Sequence, residues 1–341
     1  MTTQLLNTLY VQTQGTYLRL EGETLRVEVE TELRLQIPLH HLGALVVFGN
    51  VLVSPYLLKR CAEDGRAVAW LSRGGRFVGR LAGPVSGNVL LRQAQHAAQA
   101  DAARATEIAR AVVRGKIRAQ RAVLMRAARD AGGDTEAALR TAADALARAR
   151  DAAKTAPDVD AVRGEEGQAA AVYFEAFPHL IRAPDLAFEG RNRRPPRDPV
   201  NALLSFLYTL VRSDCAGALE SVGLDPQVGF LHVPRPGRPA LALDLMEEFR
   251  PSVADRLALA LVNRRQITPA HFEPRPGGAV YLNEEGRRTV LTAYQERKQS
   301  PKAHRLFKEP VPWGLVPFVQ ARLLARHLRG DLPRYPPHRG A

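Results

Sequence analysis

The chain has 341 residues, of which 45% are hydrophobic and 24% charged, and its formal net charge at pH 7 is +13. This composition excludes global disorder and suits a folded protein long enough for two domains. No apolar run is long enough to span a membrane and no leader pattern opens the chain, so we expect a cytoplasmic protein. The basic charge favours a polyanionic partner, although a general bias towards arginine would produce the same excess.

The two cysteines, Cys61 and Cys215, lack the spacing of a metal site. A disulfide framework or a zinc ribbon is therefore not expected. Buried free thiols in a reducing compartment are the better interpretation.

Residues 1–87 have the pattern of strands separated by tight turns. Alternating apolar and polar residues flank Glu21-Gly22-Glu23, which predicts a hairpin. Short strands with frequent turns favour a small β-sandwich. The predicted strands are 17–20, 25–29, 33–37, 44–48, 67–71 and 76–81, with one short helix at 55–62.

Beyond residue 88 the pattern becomes helical. Apolar residues at helical spacing predict one helix over 89–130, and Gly132-Gly133 separates it from an Ala-rich helix over 135–155. Asp198 before Pro199 has the pattern of a helix start. We therefore expect an α+β protein. Its parts are a β-rich domain at 1–87, a larger helical domain at 88–334 and a flexible Pro/Gly-rich tail at 335–341.

Two candidate site residues share one face of a predicted helix. Asp244 and Glu247 are three residues apart in an apolar segment, and this spacing puts them on the same side. Two such carboxylates repel each other unless a cation or a proton lies between them. Glu248 is expected to point away, towards Arg250 or solvent. His232 lies twelve residues before Asp244, and a histidine of the core is its alternative interpretation.

Glu166 completes the candidate set. It lies in Gly164-Glu165-Glu166-Gly167 before an apolar run, which predicts the first turn of a helix, where the backbone dipole favours a carboxylate. A simple acid at a helix start is the alternative. Carboxylates with one imidazole suit Mg²⁺ or Mn²⁺, which favours metal-dependent phosphoryl transfer. The alternative from another class is a DNA-binding scaffold whose acids pair with Arg250 or Arg256.

Several motifs together resemble the Cas1 family of CRISPR adaptation integrases. They are Gly-x-Glu-Gly at 164–167, the Asp-Pro-Val-Asn-Ala-Leu-Leu helix start at 198–204, Gly-Phe-Leu-His at 229–232 and Leu-Asp-Leu-Met-Glu-Glu-Phe-Arg-Pro at 243–251. The resemblance covers nearly the whole chain. The run at 294–298 and the chain end at 329–337 look most like the type I-C branch.

The resemblance implies a fold, a reaction and partners. The fold is an amino-terminal β-sandwich used for dimerisation and a helical catalytic domain. Glu166, His232 and Glu247 would hold Mg²⁺ or Mn²⁺, with Asp244 as the adjacent acid. The reaction is insertion of short DNA fragments into a CRISPR array by attack of a 3′ hydroxyl on a phosphodiester. DNA and a small second CRISPR-associated protein are the implied partners, and a general nuclease is the alternative enzyme.

Basic segments are candidates for DNA contact. Between Arg287 and Lys308 there are seven Lys or Arg residues and one acid, and a second group precedes Asp198. Such groups bind phosphates by charge without reading sequence. A solvated surface is the alternative for each of them. The candidates are Arg193, Arg194, Arg297, Lys298 and Lys302.

Overall fold

A computed structural model describes residues 8–75, 77–81, 83, 89–192, 195–303 and 310–338. The chain divides into two compact units. The first comprises Met1–Ser86 and Leu282–Leu315, and the second comprises Gly87–Tyr281 and Val316–Ala341. The sequence had suggested a single boundary near residue 88. Segment Leu282–Leu315 instead belongs to the first unit. The sequence did not predict this, because helical periodicity identifies a helix without identifying the neighbours against which it packs.

The first unit contains two four-stranded sheets, with strand orders β4-β3-β2-β6 and β1-β5-β7-β8. The predicted hairpin is confirmed, since β2 and β3 pair antiparallel up to Glu21 and Thr24. The elements are β1 (Thr8–Val11), β2 (Thr16–Glu21), β3 (Thr24–Val29), β4 (Glu32–Pro38), β5 (Ala44–Phe48), β6 (Leu52–Val53), helix α1 (Pro55–Glu63), β7 (Ala67–Leu71) and β8 (Phe77–Arg80).

Both sheets contribute to one hydrophobic core. Leu18 and Leu25 from one sheet, Leu45 and Val47 from the other, and Leu57 from α1 are all fully buried in the same cluster. Burying each such side chain stabilises the fold by about 1.5–3 kcal/mol. The two sheets and α1 are thus tied together by shared apolar burial, as the alternation of apolar residues predicts.

The second unit is mainly helical. Its described elements are α2 (Val89–Ala100), α3 (Ala102–Asp130), α4 (Gly133–Thr155), α5 (Val159–Ala176), α6 (Pro199–Ser221), α7 (Ala240–Glu247), a π-helical turn (Arg250–Asp255), α8 (Arg256–Asn263), the hairpin of β9 (Phe272–Arg275) and β10 (Ala279–Leu282), and α10 (Val316–Leu328). The first unit adds α9 (Glu284–Gln299), β11 (Pro301–Lys302) and β12 (Val311–Pro312). The architecture is therefore α+β.

The single helix predicted over 89–130 was wrong, because Asp101 divides it. The Asp101 side chain accepts hydrogen bonds from the backbone N–H groups of Ala103 and Arg104, which caps the start of α3. Apolar periodicity continues across this point, so the interruption leaves no trace in the hydrophobic pattern.

Helix α6 begins as predicted, with Pro199 in its first turn and the Asp198 side chain accepting a hydrogen bond from Asn201 N–H. Among the described residues it is also the one helix long and apolar enough to cross a membrane. It packs against α7, α8 and α10 and buries one side in the core, so we interpret it as a core helix. Both cysteines are free and buried, as expected.

Asp101→Ala should destabilise the junction of α2 and α3. The change removes the acceptor of two N–H groups, and loss of such a cap lowers the free energy of unfolding by about 1 kcal/mol. Urea denaturation measures the effect. Asp101→Asn retains an acceptor oxygen and is the control that should stay close to the parent. An alanine variant as stable as the asparagine variant would show that this cap does not hold the junction.

Candidate metal centre

Asp244 is a buried carboxylate held by backbone amides. Its oxygens accept hydrogen bonds from three successive N–H groups, those of Phe230 at 2.6 Å, Leu231 at 3.0 Å and His232 at 2.9 Å. The His232 ring also lies against it, with Nδ1 2.7 Å from Asp244 Oδ1. Asp244 therefore fixes the loop before α7 and the orientation of the imidazole. The sequence-based alternative of an ion bridge from the acid pair to Arg250 or Arg256 is met in part, since Glu247 pairs with Arg250.

Gly229 allows that loop to approach α7. A Cβ atom at this position would lie 2.7 Å from the carbonyl carbon of Ala240 and 2.9 Å from Asp244 Oδ2. Backbone atoms cannot give way as a flexible side chain does, so glycine is required for the close approach. The glycine of the Gly-Phe-Leu-His motif thus serves to bring His232 to the acids.

Glu247 is the second buried acid of α7, and cations surround it. Lys116 Nζ lies 2.7 Å from its Oε2, and Arg250 Nη1 lies 3.0 Å from its Oε1. The Nε2 atom of His232 is 3.9 Å from the same Oε1. Asp244 and Glu247 share a helix face, but one is neutralised by amides and the other by cations.

Lys116 joins Glu166 to Glu247. Its ammonium on α3 also forms an ion pair with Glu166 Oε1, and its side chain is only 5% exposed. Three helices, α3, α5 and α7, therefore meet at one buried nitrogen. Lys116 was not among the site residues predicted from the sequence. The available signal was its place in a run of helical positions whose other members, such as Val112, Val113 and Ile117, are apolar.

The Arg250 guanidinium lies over an aromatic ring. Its guanidinium carbon lies 4.8 Å from the centre of the Tyr208 ring, within range of a cation–π interaction. The Tyr208 hydroxyl in turn donates to Asp255 Oδ1 at 2.6 Å. The expectation that Glu248 points towards Arg250 or solvent was wrong: Glu248 is buried, and Arg250 pairs with Glu247, three residues earlier on the same side.

These charges shift one another's protonation. Burial alone would raise the pKa of Glu247, but Arg250, Lys116 and His232 outweigh it and lower that pKa to about 2. Burial likewise acts to lower the pKa of Lys116, yet Glu247 and Glu166 raise it above its usual value. Both groups are consequently charged at neutral pH, and the cluster is ionic.

The prediction that Glu166 lies in the first turn of a helix was wrong. Helix α5 begins at Val159, where the Asp158 side chain accepts a hydrogen bond from Ala161 N–H. Glu166 follows about two turns later, given 3.6 residues per turn. The flanking Gly164 and Gly167 lie inside the helix, although glycine suggested a boundary there. The backbone dipole argument for Glu166 therefore fails, and the ion pair with Lys116 replaces it.

The donor chemistry of the cluster suits a divalent cation. Glu166 and Glu247 both contact one positive nitrogen, so their oxygens already share a point of cation binding. Because Asp244 can accept a hydrogen bond from His232 Nδ1–H, the neutral form of the ring would present its Nε2 lone pair to a metal. Within the described ranges, however, no three His, Cys, Asp or Glu side chains already form a closed metal-ligand group. A metal at this point would compete with Lys116 for the same oxygens.

Exposure is uneven across the cluster. The side chains of Glu166 and His232 are 27% and 21% exposed, whereas that of Glu247 is 2% exposed. Glu247 thus forms the buried floor of the cluster, and Glu166 and His232 form its open side.

The predicted DNA contacts lie elsewhere in the chain. Arg297 and Lys302 lie over the ring of Trp313, 5.3 Å and 5.6 Å from its centre. Lys298 is buried and lies 5.8 Å from the centre of the Tyr294 ring. These three cations belong to the first unit, and their binding of phosphate stays a prediction. Arg193 and Arg194 lie outside the described residues.

Lys116→Met should destabilise the second unit strongly. It nearly preserves side-chain volume while removing the charge between Glu166 and Glu247. Breaking a buried ion pair from one side costs about 3–5 kcal/mol, and we expect a loss of that order in urea denaturation at pH 7. Lys59→Met is the matched control. Its pair with Glu63 is exposed at 3.8 Å, so stability should change by less than about 0.5 kcal/mol.

The cost of Lys116→Met should also shrink in acid. The pKa of Glu247 is about 2 in the fold against 4.5 otherwise, so its stabilising effect is complete above pH 4.5 and is lost towards pH 2. Without Lys116 the pKa of Glu247 rises, so Glu247 in the variant becomes protonated at a higher pH than in the parent. Denaturation at pH 7 and pH 4 should therefore show the larger difference from the parent at pH 7. A constant difference would contradict the ionic cluster.

Comparisons with known proteins agree with this arrangement of motifs. A profile of the family described as CRISPR associated protein Cas1 matches residues 9–296. The CRISPR-associated endonuclease Cas1 2 of Rhodospirillum rubrum is 53% identical over 98% of both chains.

Solved structures share the fold. A Cas1 protein from Thermotoga maritima superposes with a TM-score of 0.81, at 26% identity over 95% of this chain and 97% of that one. A chain of a partial Cas6-RT-Cas1–Cas2 complex gives a TM-score of 0.65, at 25% identity over 95% of this chain and 96% of that one. The family match spans most of the residues, including every element of the ionic cluster. The chain therefore belongs to the Cas1 family of CRISPR-associated proteins.

Proposed function

We propose that this protein is a metal-dependent DNA endonuclease and integrase of CRISPR adaptation, which inserts short DNA fragments into a CRISPR array. The observation that carries the proposal is the convergence of Glu166 and Glu247 on one cation position beside His232. Membership of the Cas1 family supports it, as does the relative in Rhodospirillum rubrum that is named an endonuclease.

Glu166, His232 and Glu247 would hold the metal, Mg²⁺ or Mn²⁺. When bound, it would stabilise negative charge at the phosphorus and lower the pKa of an attacking group. Asp244 does not need to touch it. By accepting from Nδ1–H, Asp244 keeps the His232 ring in the tautomer whose Nε2 faces Glu247.

The reaction proceeds by attack of a 3′ hydroxyl of the incoming DNA on a phosphodiester at the border of a repeat. His232 is partly exposed and could alternatively protonate the leaving 3′ oxygen. Lys116 and Arg250 add positive charge beneath the reacting phosphate and hold Glu247 ionised. Water in place of the hydroxyl gives hydrolysis, so general nuclease activity of the same site is the second candidate function.

The partners are DNA, a second copy of the chain and a small CRISPR-associated adaptation protein. The net charge of +13 favours DNA. Exposed Leu33 and Leu35 on the edge strand β4 support a homodimer formed through the first unit. The likeness to a chain of a partial Cas6-RT-Cas1–Cas2 complex supports the third partner. A cytoplasmic location and the type I-C branch, the latter suggested by residues 294–298 and 329–337, belong to the same proposal.

A non-catalytic DNA-binding scaffold is the rival from another class. It would use Lys116, Glu166 and Glu247 only as a structural ion bridge. Its DNA binding and its biological activity would then survive a chelator. The partial exposure of Glu166 and His232 favours the enzyme, because a purely structural bridge gains nothing from an open side.

His232→Ala should give a folded protein that still binds DNA but does not join strands. Binding depends on dispersed Lys and Arg, whereas the chemistry depends on one site. Strand transfer and DNA affinity are measured on the same preparation, with circular dichroism as the check on folding. Strand transfer at the parental rate would refute the role of His232, and an unfolded variant would favour a histidine of the core.

The two acids of α7 should respond differently to substitution. Glu247→Ala should abolish activity at any metal concentration, since it removes a proposed ligand. Asp244→Asn replaces one acceptor oxygen facing the amides of 230–232, so it should weaken metal affinity by about 10–100-fold, with partial rescue by excess Mn²⁺. Strand transfer titrated with Mn²⁺ separates the cases. If excess Mn²⁺ restored strand transfer by Glu247→Ala while Asp244→Asn stayed inactive, Asp244 and not Glu247 would be the direct ligand.

A further inference from the structure

Residues Tyr335–His338, here named the C-terminal strap, are packed into the second unit. The sequence predicted a flexible tail from residue 335, but Tyr335 and His338 are only 4% and 3% exposed. The proline and glycine content suggested a frayed end, but the Tyr335 hydroxyl and the His338 backbone N–H form hydrogen bonds to a buried side chain. The prediction of a flexible tail was therefore wrong for these four residues.

The principal partner of the strap is Glu248, a fully buried carboxylate. Its Oε1 accepts a hydrogen bond from Tyr335 O–H at 2.6 Å, and its Oε2 accepts from His338 N–H at 2.5 Å. Gln320 Nε2 on α10 donates to the same Oε2 at 3.1 Å. Two of the three donors to this carboxylate thus come from the strap, and a buried carboxylate depends on such donors.

The strap also touches α3 beside the candidate site. A Cβ atom at Gly115 would lie 3.1 Å from Pro337 Cβ and 3.6 Å from Glu248 Cγ. Gly115 is therefore the point where α3, the strap and the end of α7 meet. It directly precedes Lys116, and Glu248 directly follows Glu247. The strap holds the chain neighbours of both partners in the Lys116–Glu247 ion pair.

We propose that the C-terminal strap is a positioning element of the metal centre, which fixes the end of α7 against α3 and so sets the place of Glu247. Tyr335 acts through Glu248 and does not touch the reacting groups. If its hydroxyl is lost, Glu248 keeps fewer donors and is drawn towards water, and the adjoining Glu247 moves with it. The inference rests on the proposed metal binding, but its mechanical part can be tested without metal.

The test uses Tyr335→Phe and Gly115→Ala in the full chain. Tyr335→Phe keeps the ring and removes the hydroxyl that contacts Glu248. Gly115→Ala displaces Pro337 while favouring the helical conformation of α3, so it separates positioning from stability. Asn263→Ala is the control, because it removes hydrogen bonds to Leu180 and Arg182 in the same unit without touching the strap.

Two quantities are measured: amide hydrogen exchange over residues 240–249 in metal-free protein, and the dissociation constant of Mn²⁺ by electron paramagnetic resonance. Both strap variants should exchange faster in that segment and bind Mn²⁺ about 10-fold more weakly, the low end of the effect of groups that support a ligand. Gly115→Ala should do so without a lower melting temperature. The control should match the parent in both quantities.

The outcomes separate the two proposals. Unchanged exchange over 240–249 in both strap variants overturns the positioning role, whatever the metal does. Faster exchange with parental Mn²⁺ affinity also overturns it, because loosening of α7 would then leave metal binding by Glu247 unchanged. A parent that does not bind Mn²⁺ refutes the proposed metal centre, and the exchange data still decide whether the strap holds α7.

Discussion

The ammonium group of Lys116, buried between Glu166 and Glu247, is the interaction on which the second unit depends. An unpaired carboxylate in the interior costs several kcal/mol, so α7 can bury Glu247 only if neighbouring elements supply positive charge, as α3 does with Lys116. Arg250 also forms an ion pair with Glu247, and its guanidinium lies over the Tyr208 ring. The charges therefore bind three helices together and also create the point where a metal is proposed to bind.

The same charges show how two acids on one helix face come to have different environments. Asp244 faces the amide dipoles of the loop at 230–232, which saturate its oxygens and leave none for a metal. Glu247 faces the charged side chains of Lys116 and Arg250, and one of its oxygens has no hydrogen bond of good geometry. Spacing along the helix gives both acids the same direction. Only the partner elements distinguish the proposed supporting carboxylate, Asp244, from the proposed ligand, Glu247.

The sequence predicted the site better than it predicted the surroundings of the site. The Asp244–Glu247 spacing, His232 and Glu166 were identified from residue types and motifs, and the fold brings them together. Lys116 was missed because a lysine in an Arg-rich helix looks like part of a solvated face. The interruption at Asp101 and the packing of Tyr335 were missed for a related reason. Caps and long-range hydrogen bonds depend on single polar atoms, which leave no periodic pattern.

Anomalous diffraction from crystals soaked in Mn²⁺ would locate the ion in the Lys116 cluster. We expect one strong peak about 2.1–2.2 Å from oxygen atoms of Glu166 and Glu247 and from His232 Nε2, with the Lys116 ammonium moved from its present contacts. A peak bound by Asp244 instead of Glu247 would contradict the ligand assignment. Fully folded crystals with no peak at this cluster, at Mn²⁺ concentrations that support activity, would contradict the metal centre itself.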